Sequence, residues 1–279
     1  NMNTKVRGRK DLENLSIPFI GEIPQYLSAK KKLGFDKHTQ SVMKAIVVKE
    51  GNRNIINEAF RVLRSNIDFM AGKDSGQNVF MLTSFNPGSG KSFLAMNIAM
   101  SFAIKKKRIL VIDGDLRHGS TSSYVDSPKT GLSDYLGNRV SDWKEIIVKD
   151  EKYDNLHIIP IGTVPPNPTE LLEDGKLATL IEVLRSEYDY IFIDCPPIDI
   201  VADAQIIEKL ADRTVFVVRS GLLDRSMLPE LENIYQEKRF KNLSVILNGT
   251  ESAGGRYGYR YGYRNGYSSY YGNKGKMGG

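Results

Sequence analysis

The sequence holds one cysteine, Cys195, among 279 residues. A lone thiol excludes an internal disulfide and fits a reducing, cytoplasmic setting. No apolar run approaches the ~20 residues needed to cross a bilayer, and no signal peptide opens the chain. An extended basic groove is also lacking, although the net charge is +6. Residues 1–50 carry ten Lys/Arg against five Asp/Glu, and residues 251–279 five Lys/Arg against Glu251 alone, so the middle of the chain is mildly acidic. That distribution argues against a nucleic-acid binder. Basic ends on an acidic body fit a domain near an anionic surface, a basic tail that docks on acidic protein, or simple solvation. The first residues, Asn1-Met2-Asn3-Thr4-Lys5, do not read as a natural start, so a fragment with something missing upstream is expected.

What is present is an ordinary soluble composition, 41% hydrophobic and 26% charged. Three regions are expected: an N-terminal extension over 1–50, a main domain over 51–250, and a flexible tail over 251–279. In the first, the prolines of Ile17-Pro18-Phe19-Ile20-Gly21-Glu22-Ile23-Pro24 predict extended chain. Residues 53–70 predict a helix, with Ala59, Phe60, Leu63 and Ile67 on one face and Glu58, Arg61 and Arg64 on the other. Strand and helix patterns then alternate. Strands are expected at 79–83, 108–112, 157–161, 190–193, 214–218 and 243–247, and helices at 92–104, 169–186, 202–210 and 228–239. Uniformly apolar strands alternating with helices predict an α/β fold: a mainly parallel sheet covered by helices on both faces. Ligands in such folds sit at the carboxyl ends of the strands.

One connection at those ends is chemically explicit. Ser84-Phe85-Asn86-Pro87-Gly88-Ser89-Gly90-Lys91-Ser92 joins a predicted strand to a predicted helix, the context a P-loop requires. Its glycines let backbone N–H groups curl around phosphate oxygens, and the helix start adds unpaired donors and a positive dipole end. Lys91 is expected to reach the β- and γ-phosphates and the Ser92 hydroxyl to ligate Mg²⁺. The phosphate-binding set is read as Pro87, Gly88, Ser89, Gly90, Lys91, Ser92 and Phe93. Phe85 stands where the usual pattern has its first glycine. Asp113 and Asp115 end the second predicted strand as Asp-Gly-Asp, and Asp194 ends the run Tyr190-Ile191-Phe192-Ile193. Each alone is equally well a turn or cap aspartate. Together beside a P-loop they suit metal binding or acceptance of a proton from an attacking hydroxyl. Cys195 has no visible partner for nucleophilic chemistry and reads as a small buried residue.

Seven of the 14 tyrosines fall between residues 257 and 271: Tyr257, Tyr259, Tyr261, Tyr263, Tyr267, Tyr270 and Tyr271. The segment around them is Gly, Arg, Asn and Ser with almost no aliphatic residue, a composition that cannot offset its own ordering entropy. Three readings stand for these rings: phosphate acceptors, platforms stacking on single-stranded nucleic acid, or low-complexity self-association. A phosphoryl-transfer site on the same chain favours the first, because a tethered acceptor has a high effective concentration.

These motifs, with Glu58-Ala59-Phe60-Arg61-Val62-Leu63-Arg64-Ser65-Asn66, Ile109-Leu110-Val111-Ile112-Asp113-Gly114-Asp115-Leu116-Arg117 and Pro165-Pro166-Asn167-Pro168-Thr169-Glu170-Leu171-Leu172, resemble the bacterial tyrosine kinases. Those are cytoplasmic domains of polysaccharide co-polymerases, related to the MinD/ParA ATPases. The likeness covers nearly the whole chain. It implies ATP and Mg²⁺ as cofactors, with Lys91 and Ser92 in Walker A, Asp113 and Asp115 in Walker A′ and Asp194 in Walker B. It makes Lys91, Asp113 and Asp115 the candidate catalytic groups, with Asp113 at the acceptor hydroxyl and Asp115 nearer the metal, or the two exchanged. Ser92, Asp115 and Asp194 become the metal set, and Asn248 the residue that reads adenine. It assigns Glu58, Arg61 and Arg64 to the interface of a homo-oligomeric ring, commonly an octamer, in which each tail is phosphorylated by a neighbour. It further implies regulation of capsule or exopolysaccharide export, a transmembrane activator on the same or a partner chain, a tyrosine phosphatase, and a place at the inner face of the membrane. Two departures stand out: Gly119 follows His118 where the family often has Pro, and Ser89 replaces a frequent acid. The V-A-I-K, H-R-D and D-F-G signatures of eukaryotic-type kinases are absent. Rival readings are a MinD/ParA-like switch ATPase, which would place a lysine where Asn86 stands, and a non-enzymatic nucleotide-gated scaffold.

Overall fold

Residues 3–26, 45–72, 76–198 and 202–251 are described in a computed structural model. In chain order the elements are β1 (Phe19–Pro24), α1 (Ile55–Ala71), β2 (Val79–Thr83), α2 (Lys91–Ile104), β3 (Ile109–Asp113), α3 (Leu132–Leu136), β4 (Val148–Lys149) and β5 (Leu156–Ile159). They continue as α4 (Pro168–Glu173), α5 (Lys176–Glu187), β6 (Tyr190–Asp194), α6 (Asp203–Glu208), β7 (Arg213–Arg219), α7 (Leu228–Gln236) and β8 (Leu243–Thr250). The strands form one eight-stranded sheet in the order β1-β8-β7-β2-β6-β3-β5-β4. All neighbours are parallel except β4, which pairs antiparallel with β5.

This order explains why the strands are apolar throughout. Side chains alternate between the two faces, and both faces are covered. Val79 and Met81 of β2 and Ile191 and Ile193 of β6 pack into one core. Phe80 and Leu82, with Tyr190 and Phe192, pack into the other, under α1 and α2. There Phe102 of α2 lies 4.5 Å from Tyr190 and 5.9 Å from Phe192 between ring centroids. The all-round apolar α2 is buried along nearly its whole length. Its one amide side chain, Asn97, is fully buried and satisfied. It accepts from the backbone N–H of Val47 (2.8 Å) and donates to Ala45 O (3.0 Å) and Phe93 O (2.9 Å).

The segment expected to be extended before residue 25 does more than that. It forms β1 and completes the sheet edge beside β8. Residues ahead of it lie along the turn after β7, where Val6 N donates to Leu223 O and Gly221 N to Val6 O, each at 2.8 Å. The single helix expected over 169–186 is two. The chain breaks at Gly175, whose φ of +93° begins α5 in the left-handed region that glycine reaches without strain. No helix among the described residues is long and apolar enough to cross a membrane. The seven tail tyrosines lie outside the described residues.

Candidate active site

The sheet order concentrates the predicted motifs. β2 is central, with β6 on one side and β7 on the other, and β3 lies beyond β6. The chain therefore leaves β2 through the glycine loop, and the ends of β3 and β6 rise next to it. This is where strand order turns back on itself, the crevice such folds use for ligands.

The loop is shaped by local chemistry. Gly88 and Gly90 have φ of +75° and +89°, and Gly90 caps α2. A Cβ on Gly90 would also collide with the side-chain nitrogen of Asn248. Phe85, in the place of the first P-loop glycine, is buried edge-on against Phe216 at 4.9 Å. Its ring anchors the loop in the core, which accounts for that departure. The hydroxyls of Ser84 and Ser89 both donate to Asn86 O at 2.8 Å. Lys91 Nζ donates to Ser84 Oγ at 2.9 Å. Burial pushes the Lys91 ammonium down from its ordinary pKa, while Asp194 and Asp115 pull it back up. The first-turn N–H groups of α2 have no intrahelical partner, so the loop and helix start together form an anion cradle.

The carboxylates come from adjacent strands. Asp113 and Asp194 are register partners at the ends of β3 and β6. Both are buried, and burial followed by the like charge beside it raises Asp113 well above the usual carboxylate range. Burial also raises Asp194, against the lowering pull of Lys91, Ser92 and Thr121. Ser92 Oγ and Thr121 Oγ1 both donate to Asp194 Oδ2, the latter at 2.7 Å. Asp113 is fully committed within the protein: Oδ1 accepts from Asp115 N (3.2 Å), and Oδ2 from Ser122 N (2.8 Å) and Ser122 Oγ (2.6 Å). Asp115 sits further out. Its side chain is 12% exposed and lies against His118 Nδ1 at 3.1 Å. Arg117, next in the same loop, is tied to Asp203 (3.4 Å) and Thr169 (3.0 Å), and Thr169 Oγ1 donates to Asp203 at 2.7 Å. These bonds join the loop after β3 to the starts of α4 and α6.

Asp115 and Asp194 thus act on one ammonium, with Asp113 close behind them, in a site largely shut from water. A divalent cation fits that crowding, because it would offset buried negative charge that Lys91 alone does not balance. Among the described residues no three His, Cys, Asp or Glu form a ready-made metal cage. Mg²⁺ in nucleotide sites is held by one or two side chains together with phosphate and water.

Other predicted residues are placed less directly. Phe93 turns its ring into the core, edge-on to Phe60 at 5.9 Å, so only its backbone is open to a ligand. Asn248 donates to Ser89 O at 3.0 Å, behind the loop. On α1, Glu58 and Arg61 pair at 2.9 Å on the exposed side. Arg64 instead turns toward α2, with its NH1 3.3 Å from Ser101 Oγ, so the three residues do not share one outward face. Cys195 is fully buried, and burial raises its thiol well above the ordinary value. Thr121, Ser122, Asp203 and Arg219 were not legible as site residues. Only the tertiary fold brings them to the loop and the carboxylates, and Ser and Thr carry no sequence signal of that kind.

A strand, a glycine loop and a helix, with aspartates at the ends of neighbouring parallel strands, define a P-loop nucleotide-binding domain. The comparisons agree. A family profile described as an AAA domain matches residues 77–239. The chain is 32% identical over 210 residues to the putative tyrosine-protein kinase CapB of Staphylococcus aureus, covering 75% of this chain and 91% of that one. It is 34% identical over 250 residues to a putative tyrosine-protein kinase in the cps region of Klebsiella pneumoniae, covering 87% of this chain but 33% of the relative. The kinase domain of the Escherichia coli tyrosine kinase ETK superposes with a TM-score of 0.75 at 27% identity, covering 90% of this chain and 97% of that domain. The chain belongs to the bacterial tyrosine-protein kinase family, within the AAA-domain P-loop proteins.

Proposed function

We propose that this domain transfers the γ-phosphoryl group of ATP to tyrosine hydroxyls, the clustered tyrosines Tyr257 to Tyr271 of neighbouring copies among them. The observation that carries the reading is the crowding of Asp113, Asp115 and Asp194 at the strand ends beside the glycine loop, with Lys91 acting on Asp115 and Asp194. Lys91 and the loop amides would hold the β- and γ-phosphates, with Ser92 and Asp194 around a Mg²⁺. Bound Mg²⁺ supplies charge neutralisation on the phosphates as the bridging bond to ADP breaks. Asp113, sealed by Ser122 and Asp115 N, holds the loop in shape. Asp115, more exposed, is the group we assign to the acceptor: it takes the hydroxyl proton as the tyrosine oxygen bonds to phosphorus. A free tyrosine has a pKa of about 10 and reaches the site protonated, so positioning and charge carry most of the catalysis.

We further propose a wider role in capsule or exopolysaccharide production, with a transmembrane activator, a phosphatase and a homo-oligomeric ring as partners at the inner face of the membrane; the relative named from a cps region supports the first of these. For the ring, Arg61 is the clean probe, because Arg64 also holds α2. Light scattering on Arg61→Glu is expected to show loss of the assembled species; an unchanged mass removes α1 from the interface. Asn86 stands where a MinD/ParA-type switch would carry its second lysine, which disfavours that alternative. The central test is intact-protein and peptide mass spectrometry after incubation with Mg·ATP. Phosphate on several tail tyrosines is expected, whereas steady ATP hydrolysis with an unmodified tail would point to the switch.

A further inference from the structure

The back of the phosphate loop is held at two successive carbonyls. Arg219, the last residue of β7, donates through NH1 to Gly88 O at 2.6 Å. Asn248 of β8 donates through Nδ2 to Ser89 O at 3.0 Å. Arg219 and Asn248 are register partners on adjacent parallel strands, so the two donors rise side by side from the sheet. The strand ends are anchored in turn: Ser220 N donates to Asn248 O at 2.9 Å, and Ser220 Oγ to Arg7 O at 2.8 Å.

A peptide unit is planar and trans, so its C=O and the next residue's N–H point in opposite directions. Fixing Gly88 O backward aims the N–H of Ser89 forward, and fixing Ser89 O does the same for Gly90. Neighbouring amides turned the same way form an anion-binding nest. Gly88 and Gly90 have conformations with positive φ, and glycine is the residue least restrained by its own backbone, so an outside restraint has most effect here. The contact between Asn248 and Gly90 is close enough to exclude a Cβ at that position, which makes the pair mutually fitted.

We infer that Arg219 and Asn248 are positioning residues that brace the phosphate loop from behind, presetting the Ser89 and Gly90 amides for phosphate before nucleotide arrives. This gives Asn248 a role on the loop backbone, and it rests on the nucleotide-binding reading of that loop. The brace is tested without ligand by hydrogen exchange on the nucleotide-free protein, and with ligand by calorimetric titration of Mg·ADP. Arg219→Ala is expected to speed exchange at Ser89 and weaken Mg·ADP binding, each about tenfold, the scale of one lost charge-assisted hydrogen bond. Asn248→Ala is expected to do so chiefly at Gly90. Arg219→Lys, which keeps a donor, is expected to recover part of both effects. If Arg219→Ala does not fold, the lysine variant and Asn248→Ala carry the test. Weaker binding with unchanged exchange would overturn the brace in favour of direct charge contact with the nucleotide; no change in either overturns it outright. Wild-type protein that takes up no Mg·ADP defeats the nucleotide reading itself, and the ligand-free exchange result tells that failure apart.

Discussion

The two edges of the one sheet treat their aspartates in opposite ways. At the edge where the strands begin, two carboxylates each have their own arginine. Asp212 takes a two-pronged bond from Arg185, at 2.6 and 3.0 Å, and also accepts from Val79 N at 3.0 Å. Asp189 accepts from Arg108 N at 2.7 Å and from its guanidinium at 3.3 Å, and the backbone bond with the nearby positive charge holds Asp189 below its ordinary pKa despite partial burial. At the edge where the strands end, Asp113, Asp115 and Asp194 crowd together, Lys91 is the cation that acts on Asp115 and Asp194, and burial drives Asp113 and Asp194 upward. A fold that pairs its structural charges at one edge and leaves them crowded at the other has reserved the second for a charged ligand. Residue type does not separate the two sets. The partners do.

That contrast breaks most visibly at Lys91. Lys91→Met is expected to lower tail phosphorylation about 10²–10³-fold, the scale of losing one preorganised electrostatic group. Quantitative mass spectrometry of the tail reads this, and a variant that labels itself at the wild-type rate would move the site elsewhere. Next comes an exchange of effects between the edges. Asp194→Asn should stabilise the nucleotide-free domain by about 0.5–2 kcal/mol by relieving repulsion with Asp113, while reducing phosphorylation. Asp212→Asn should destabilise it by about 1–3 kcal/mol and leave phosphorylation per folded molecule unchanged. Denaturant unfolding of both variants decides this, and destabilisation by Asp194→Asn would show that the crowded edge is not under electrostatic strain.

The smallest effect concerns acid. Asp189 and Asp134 both lie below their ordinary value of 3.8 in the folded chain. The unfolded state therefore binds more protons in that range, so their stabilisation is complete above 3.8 and is lost as pH falls through the lower folded values. Arg108→Ala should flatten this acid limb slightly, by under about 1 kcal/mol, since the Arg108 side chain is exposed. Unfolding curves taken across the acid range measure it, and an identical limb in the variant would remove Arg108 as a cause.

Much of this architecture was legible in the sequence because the parallel sheet writes plainly. Val79–Thr83, Ile109–Asp113 and Tyr190–Asp194 are unbroken apolar runs, each ending in the loop that carries chemistry. Asp113 and Asp194 were visible as strand-end residues for the same reason. The break at Gly175 was missed, because Leu171, Leu172 and Leu177 carry the apolar pattern across the Asp174-Gly175 turn. β1 was read as extended chain but not as a sheet edge, since its pairing with β8 joins residues more than two hundred positions apart. The same distance hid the brace: Arg219 meets Gly88 across 131 positions, and Asn248 meets Ser89 across 159. Side-chain bonds to a backbone carbonyl leave no periodicity to read. The separation of Asp113 from Asp115 was equally invisible, because only Ser122 reveals which carboxylate is sealed.

The central claim is that the crowded carboxylate edge beside the glycine loop is completed by a nucleotide together with its cation. Isothermal titration of the folded wild-type chain with ADP, in Mg²⁺ and in excess EDTA, tests it most directly. The account predicts saturable binding at one site per chain that weakens at least about tenfold when the cation is withdrawn. Equal binding in both conditions, or no heat of binding in either, would contradict it.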